Sequence, residues 1–191
     1  MNEAERLEFD RHSQSLSELQ DEALPILKEI SVHTRRARKA MGGRTLNDDE
    51  EIVDLDVDTL TLSNEQVELA ILLQRLGDRL SEMGYIARAA KEFYERVREG
   101  HKVRLTQVGE ERDVEVTDKV TGEISTKTKY FTVAAGVADS MKVELAREAF
   151  GLHNECEKTM DQLAYARKST DKTIDTIRSK LSYEKANDKN A

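Results

Sequence analysis

The sequence TVAAGVADSMKVELAREAFGLHNECEKTMDQLAYARKSTDKTIDTIRSKLSYEK, from Thr132 to Lys185, decides the fold. One set of residues in it returns at spacings of three, four or seven, which is the period of one helical face. These residues are Val137, Met141, Leu145, Leu152, Cys156, Met160, Leu163, Thr170, Ile174, Ile177 and Leu181. At about 1.5 Å per residue, one helix of this length would extend for roughly 75–80 Å. Because a single apolar stripe is not stable alone in water, we expect this helix to pack along a partner.

The composition favours long helices over a compact globule. Charged residues make up 36% of the 191 residues and aromatic residues 5%, with one Pro and no Trp. Such a composition with a helical period is typical of coiled coils and long helices. The net charge of −8 opposes simple binding of polyanions. The single Cys excludes an internal disulfide, and no apolar run is long enough to span a membrane, so we expect a cytoplasmic protein without membrane contact.

Residues 1–43 are predicted to form an N-terminal helix that ends at Gly42–Gly43. Pro25 lies inside it, and a missing backbone donor predicts a kink or a break near that residue. The stripe that would face the partner is Phe9, His12, Leu16, Leu19, Ala23, Ile26, Ile30, His33, Ala37 and Ala40.

Residues 44–62 are predicted to be an acidic linker, with a solvated loop as the first interpretation. A short edge strand or a partner-binding motif is the alternative, because acidic and aliphatic residues alternate in part. The candidate partner-binding residues are Asp48, Asp49, Glu50, Glu51, Asp54, Asp56 and Asp58.

The second helix is predicted to begin at Ser63, which with Gln66 fits a capping box, and to end at Gly100. Its stripe is Leu69, Leu73, Leu76, Leu80, Met83, Ala87, Ala90, Tyr94, Val97 and His101. Gly77 and Gly84, seven residues apart, indicate close approach of a neighbouring helix. The candidate self-association seam is Leu69, Leu73, Leu76, Leu80, Met83, Leu163, Ile174, Ile177 and Leu181.

Between the second and third helices the period changes from the helical one to two. We predict a β-hairpin within about 102–131, with Arg112–Asp118 paired to Glu123–Lys129 and a possible first strand at Lys102–Val108. The predicted fold is mainly α: a long-helix antiparallel bundle or coiled coil of three helices, with this hairpin inserted. Residues 63–186 would form the long helical hairpin, and 187–191 a frayed tail.

The sequence offers little catalytic chemistry. His153 and Cys156 lie three residues apart, but a zinc site needs about four ligands and no second pair follows. We therefore expect no enzyme activity, no metal and no cofactor. Cations near aromatic residues are the candidates for binding single-stranded nucleic acid, namely Arg96, Arg98, Lys102, Arg104, Lys127, Lys129 and Tyr130.

Residues Lys142–Ala166, rich in Lys, Glu, Leu and Ala, and the ending Ile177–Lys185 carry a family resemblance, with the hairpin before them. Over about residues 85–186 the chain resembles small helical proteins of bacteriophages and prophages encoded near recombination and replication genes. The resemblance implies a phage accessory protein in the host cytoplasm, without naming an activity.

Three functions are therefore expected, in this order. The first is a non-enzymatic interaction protein that self-associates or binds a protein of DNA metabolism. The second is an inhibitor of a host defence or nuclease system, acting through the acidic segment or the hairpin. The third is an accessory protein that binds single-stranded nucleic acid.

Overall fold

The computed structural model describes residues 1–46, 52–117 and 124–188. In chain order the elements are α1 (Glu3–Ala40), β1 (Gly43–Leu46), β2 (Ile52–Leu55), α2 (Thr59–Gln107), β3 (Glu110–Thr117), β4 (Ile124–Phe131), α3 (Ala135–Leu145) and α4 (Arg147–Asp188). Strands β1 and β2 pair antiparallel, and so do β3 and β4. The prediction of a mainly helical chain with a β-hairpin after the second helix is confirmed. None of the described helices is long and apolar enough to cross a membrane.

The chain divides into two compact units. The first unit is Met1–Ser13 with Ala87–Cys156, and the second is Gln14–Ile86 with Glu157–Ala191. Each unit is therefore assembled from segments that are distant in the sequence.

The second unit has a core made by the predicted stripes of the long helices. In α1 the buried residues are Leu16, Leu19, Ala23, Ile26, Ile30, Ala37 and Ala40, all of them predicted positions. The side-chain pairs between α1 and α2 run in opposite sequence order, as in Glu22 to Arg79, Glu29 to Arg75 and His33 to Glu65. Gln20 of α1 also donates a hydrogen bond to the Thr159 hydroxyl of α4, at 2.9 Å. The apolar residues that give α1 its helical period are thus also the residues that it buries in the core.

The first unit has a small core between α2 and the start of α4. Phe93, Val97, Ala146 and Ala149 are almost completely buried there. Met1, Phe9 and Tyr94 pack against this group. The small side chains of Ala146 and Ala149 leave room for the bulky Phe93 ring of α2.

The helical face of α2 differs from the prediction at three places. Leu72 is buried and Leu73 is half-buried, while Phe93 is buried and Tyr94 is half-buried. Leu80 is also half-buried. Spacings of three and four both return to one helical face, so the sequence alone did not decide between adjacent apolar residues.

Helix α2 begins at Thr59 rather than Ser63, and the predicted capping box is wrong. Asp58 caps the helix: its Oδ1 accepts the Thr61 backbone N–H at 2.9 Å and its Oδ2 accepts the Thr61 hydroxyl at 2.6 Å. Both bonds lower the pKa of the Asp58 carboxyl, and the bond from the Thr61 hydroxyl has the larger effect. The Asp58 backbone N–H donates to the Ala40 carbonyl, so the same residue ties the end of α1 to the start of α2.

The predicted acidic linker is partly strand. Gly43–Leu46 pairs with Ile52–Leu55, so the solvated-loop interpretation is wrong for these residues and the strand alternative applies. A strand is favoured there because Ile52, Val53 and Leu55 are β-prone aliphatic residues.

Helix α1 passes through Pro25 without a break, against part of the prediction. Pro25 removes the hydrogen bond to the Asp21 carbonyl. Because both residues are exposed, water can satisfy that carbonyl, and burial of Ala23 and Ile26 on the opposite side keeps the helix continuous.

Gly100 does not end α2, and the predicted strand Lys102–Val108 is wrong, because the helix continues to Gln107. A glycine inside a helix costs only about 1 kcal/mol. Burial of Val97 and Leu105 on either side outweighs that cost.

The predicted C-terminal helix is divided at Ala146 into α3 and α4. Ala146 has φ −94° and ψ 13°, outside the helical region, although its N–H still bonds the Lys142 carbonyl. Ala138, Ala146 and Ala149 are buried, whereas Val137 and Leu145 are about half exposed. The prediction placed the large apolar residues Val137 and Leu145 in the core, but in this segment the buried residues are alanines.

Candidate interaction surface

The β3–β4 hairpin is attached to the end of α2 by a glycine. Gly109 has φ +98°, and its N–H and that of Val108 both bond the Arg104 carbonyl. A Cβ on Gly109 would lie 2.5 Å from the Phe131 carbonyl carbon. The Val133 N–H donates to the Leu105 carbonyl at 3.0 Å, which holds the other end of the hairpin. Both ends of the hairpin are thus fixed to the last turns of α2.

The register of the hairpin sorts its charges onto two faces. Residues directly opposite each other in an antiparallel pair lie on one face, and alternate residues along a strand share it. The pairs Glu110↔Phe131, Arg112↔Lys129 and Val114↔Lys127 define what we call the cationic face. The pairs Glu111↔Tyr130, Asp113↔Thr128 and Glu115↔Thr126 lie on the other face, which we call the acidic face.

The cationic face places like charges together at the surface. Arg112, Lys127 and Lys129 are all exposed, and Arg112 and Lys129 are directly opposite. Like charges in such pairs destabilise a sheet. The Arg112 guanidinium lies 5.9 Å from the Phe131 ring centre, which offsets part of that cost. Phe131 keeps 43% of its surface exposed, so the face is both basic and apolar.

The acidic face is internally hydrogen-bonded. The Thr128 hydroxyl donates to Asp113 Oδ1 at 2.8 Å. Tyr130 is 57% exposed on this face, away from Lys127 and Lys129. We predicted that Tyr130 would bind together with Lys127 and Lys129, but side chains alternate along β4, so Tyr130 lies on the opposite face from the two lysines.

The predicted nucleic-acid residues on α2 are engaged in contacts within the first unit. Arg96 pairs with Glu8, and Lys102 Nζ lies 2.8 Å from Asp139 Oδ1. Arg98 lies 5.4 Å from the Tyr94 ring centre and contacts Glu99. Arg96, Arg98 and Lys102 therefore already have anionic or aromatic partners. Arg104 is exposed near the last turn of α2.

A short charge network holds α3 against α2. Lys142 Nζ lies 2.9 Å from both Asp139 Oδ1 and Glu99 Oε1. Hydrogen bonds from Lys102 and then Lys142 lower the pKa of Asp139 from 3.8 to about 2. The bond from Lys142 likewise lowers the pKa of Glu99.

This network predicts a stability difference that depends on pH. A carboxyl group whose pKa is lowered by folding stabilises the protein above its unfolded pKa, and that contribution is lost as the pH falls through the folded pKa. We expect the wild type to have a higher urea midpoint than Asp139→Asn at about pH 6, and the two midpoints to converge between about pH 4 and pH 2. A constant difference over that range would contradict the assignment.

The acidic partner-binding candidates are in different situations. Asp48, Asp49, Glu50 and Glu51 lie outside the described residues, so an inhibitory role for them stays a prediction. Asp54 belongs to β2, Asp56 is exposed, and Asp58 is used as the cap of α2.

The residues of the candidate self-association seam are mostly covered within one chain. Leu69, Leu76, Met83, Leu163, Ile174 and Ile177 are buried, and Leu73, Leu80 and Leu181 are half-buried. Self-association through this seam stays a prediction. At Gly77 a Cβ would meet Arg167 only at 3.9 Å, and at Gly84 it would meet nothing within 4 Å, so neither glycine marks a close approach.

The buried reactive groups have structural surroundings. Cys156 is fully buried, and desolvation raises the pKa of its thiol to about 11, which opposes thiolate chemistry. The Tyr94 and His153 rings stack with their centres 6.1 Å apart. Within the three described ranges, no group of three or more His, Cys, Asp and Glu side chains is placed to hold a metal ion.

Comparison of the chain with protein-family models, with curated proteins and with solved structures finds no match.

Proposed function

We propose that this chain is a non-enzymatic helical interaction protein, and that it binds its protein partner through the β3–β4 hairpin. The observation that carries the proposal is the cationic face, where three exposed cations and a half-exposed Phe131 lie on one side of a short sheet. Aromatic and Arg residues are enriched in the energetically important parts of protein interfaces.

The ion pairs of α2 support the hairpin over the helix as the contact. Arg96 and Lys102 are satisfied by Glu8 and Asp139, so a partner would have to displace an existing carboxylate. Lys127 and Lys129 of the hairpin instead lie exposed on one face of β4, where one anionic partner can reach both of them.

We also propose the finer architecture and the biological setting. In the second unit, the opposite order of the α1–α2 pairs supports an antiparallel helical bundle as the scaffold. The resemblance of residues 85–186 to phage accessory proteins supports a setting in a bacterial host cytoplasm, with a protein of DNA metabolism as the partner.

Site-specific photo-crosslinking tests the hairpin as the contact. A benzophenone side chain in place of the Phe131 ring, on the cationic face of the hairpin, is expected to give one discrete protein adduct in the native cells. The same group at the exposed Gln74 of α2 serves as the control and is expected to give none. Adducts of equal yield at Gln74, or no adduct at the hairpin, would contradict the proposal.

Charge reversal adds a matched pair of variants. Lys127→Glu with Lys129→Glu is expected to remove most of the adduct, because an anionic partner would then be repelled. Lys168→Glu with Lys172→Glu makes the same change of charge at exposed positions of α4 and is expected to leave the adduct unchanged.

A further inference from the structure

We propose that the hairpin's partner is an extended acidic polypeptide segment, which pairs as a third strand along the open edge of β4 and sets alternate carboxylates against Lys127 and Lys129. This inference rests on the proposed function, since it names the chemistry of the partner at the same surface.

The edge of the hairpin is suited to pairing with another strand. The sheet formed by β3 and β4 has two strands of eight residues each, so in the described part of the chain each strand has one side without a neighbouring strand. Such an edge presents unpaired N–H and C=O groups, and an extended peptide can satisfy them. A lone two-stranded sheet is also only marginally stable, so a third strand would strengthen it.

The charges select β4 over β3 as the edge. From Ile124 to Phe131, β4 carries two lysines and no acidic residue, a net charge of +2. From Glu110 to Thr117, β3 carries four acidic residues and one Arg, a net charge of −3. An acidic strand is therefore attracted to β4 and repelled from β3.

The spacing of the cations selects an extended segment with acidic residues at alternate positions. Lys127 and Lys129 are two residues apart on one face of β4, which separates their Cα atoms by about 6.8 Å. A neighbouring strand repeats at the same interval, so acidic residues at every second position fall opposite both lysines. Acidic residues grouped together would point half of their carboxylates to the opposite face.

The same features disfavour single-stranded nucleic acid. A nucleic acid has no peptide groups to pair with the N–H and C=O groups of the β4 edge. The Phe131 ring, which a base would have to stack on, already lies beneath the Arg112 guanidinium. A peptide can contact the two lysines without displacing that pair.

Fluorescence anisotropy with the full chain tests the inference. The probe is a labelled peptide of eight alternating Thr and Glu residues, which matches the length of β4. We expect saturable binding at low salt, and binding at least about tenfold weaker to Lys127→Glu with Lys129→Glu. The Lys168→Glu with Lys172→Glu control is expected to bind like the wild type.

Two altered peptides separate the parts of the inference. A peptide with the same composition but its four Glu residues in one block is expected to bind more weakly, and so is the alternating peptide with N-methylated backbone amides. Equal binding of either one would overturn the third-strand geometry. Tighter binding of an oligothymidylate than of the alternating peptide would overturn the choice of partner.

The result can be told apart from a failure of the proposed function. Crosslinking at the hairpin together with no binding of the alternating peptide would reject the acidic strand and leave the hairpin as the contact. No crosslinking at the hairpin would reject the contact itself. A labelled second copy of the chain that competes with the peptide at the hairpin, with no other protein in the adduct, would replace the partner by self-association.

Discussion

Replacing Gly109 with Ala is expected to lower the free energy of unfolding of the hairpin by roughly 2–4 kcal/mol. Gly109 has φ +98°, which a residue with a Cβ adopts only under strain. The new Cβ would also lie 2.5–2.7 Å from backbone atoms of Phe131 and Thr132, and backbone atoms cannot move aside as a flexible side chain can. Hydrogen exchange of the β3 and β4 amides should show loss of protection that begins at the α2 end of the hairpin.

Gly84→Ala is the matched control for this substitution. Gly84 lies in the interior of α2, and a Cβ there would meet nothing within 4 Å. Ala is the better helix former by about 1 kcal/mol, so this variant should be as stable as the wild type or more so. If the β3 and β4 amides of Gly109→Ala kept hydrogen-exchange protection within about 0.5 kcal/mol of the wild type, the described geometry at the hairpin base would be wrong.

The regular features of the fold could be predicted because they rest on periodicity. The predicted stripe of α1 includes every buried residue of that helix, although Leu24 and Leu27 are apolar neighbours of Ala23 and Ile26, because one spacing of three and four runs along the whole helix. The choice between Leu72 and Leu73 could not be predicted, because it depends on which neighbouring helix each residue meets. The division at Ala146 was hidden for a similar reason: Leu145 carries the apolar signal, but the small Ala146 and Ala149 fit against Phe93.

The candidate site was predictable in part. Pairing Arg112–Asp118 with Glu123–Lys129 end to end already places Arg112 opposite Lys129, which is the register of the structure. The two faces follow from that register by alternation, so the signal for the cationic face was present in the sequence. The ion pairs of α2 were not predictable, because Glu8 and Asp139 are distant from Arg96 and Lys102 in the sequence.

Replacing His33 with Ala is expected to destabilise the second unit by about 3 kcal/mol. Glu65 is buried in the face of α2 that packs on α1, and its Oε2 lies 2.5 Å from His33 Nδ1. Arg36 also lies near this carboxylate, but its Nη1 is 4.0 Å away and its side chain is 61% exposed. Removing His33 therefore leaves a buried carboxylate with one weak, solvent-screened partner. Urea unfolding monitored by circular dichroism measures the loss.

The double variant His33→Leu with Glu65→Leu distinguishes the loss of a partner from a loss of packing. Two apolar residues of similar size remove the buried charge together with its partner, so stability should return to within about 1 kcal/mol of the wild type or exceed it. Glu29→Ala breaks the exposed pair with Arg75, in which both side chains are about half exposed, and should change stability by less than about 0.5 kcal/mol. A double variant as unstable as His33→Ala would mean that the imidazole acts by its shape in the core. A double variant that recovers would mean that burial of Glu65 makes His33 necessary.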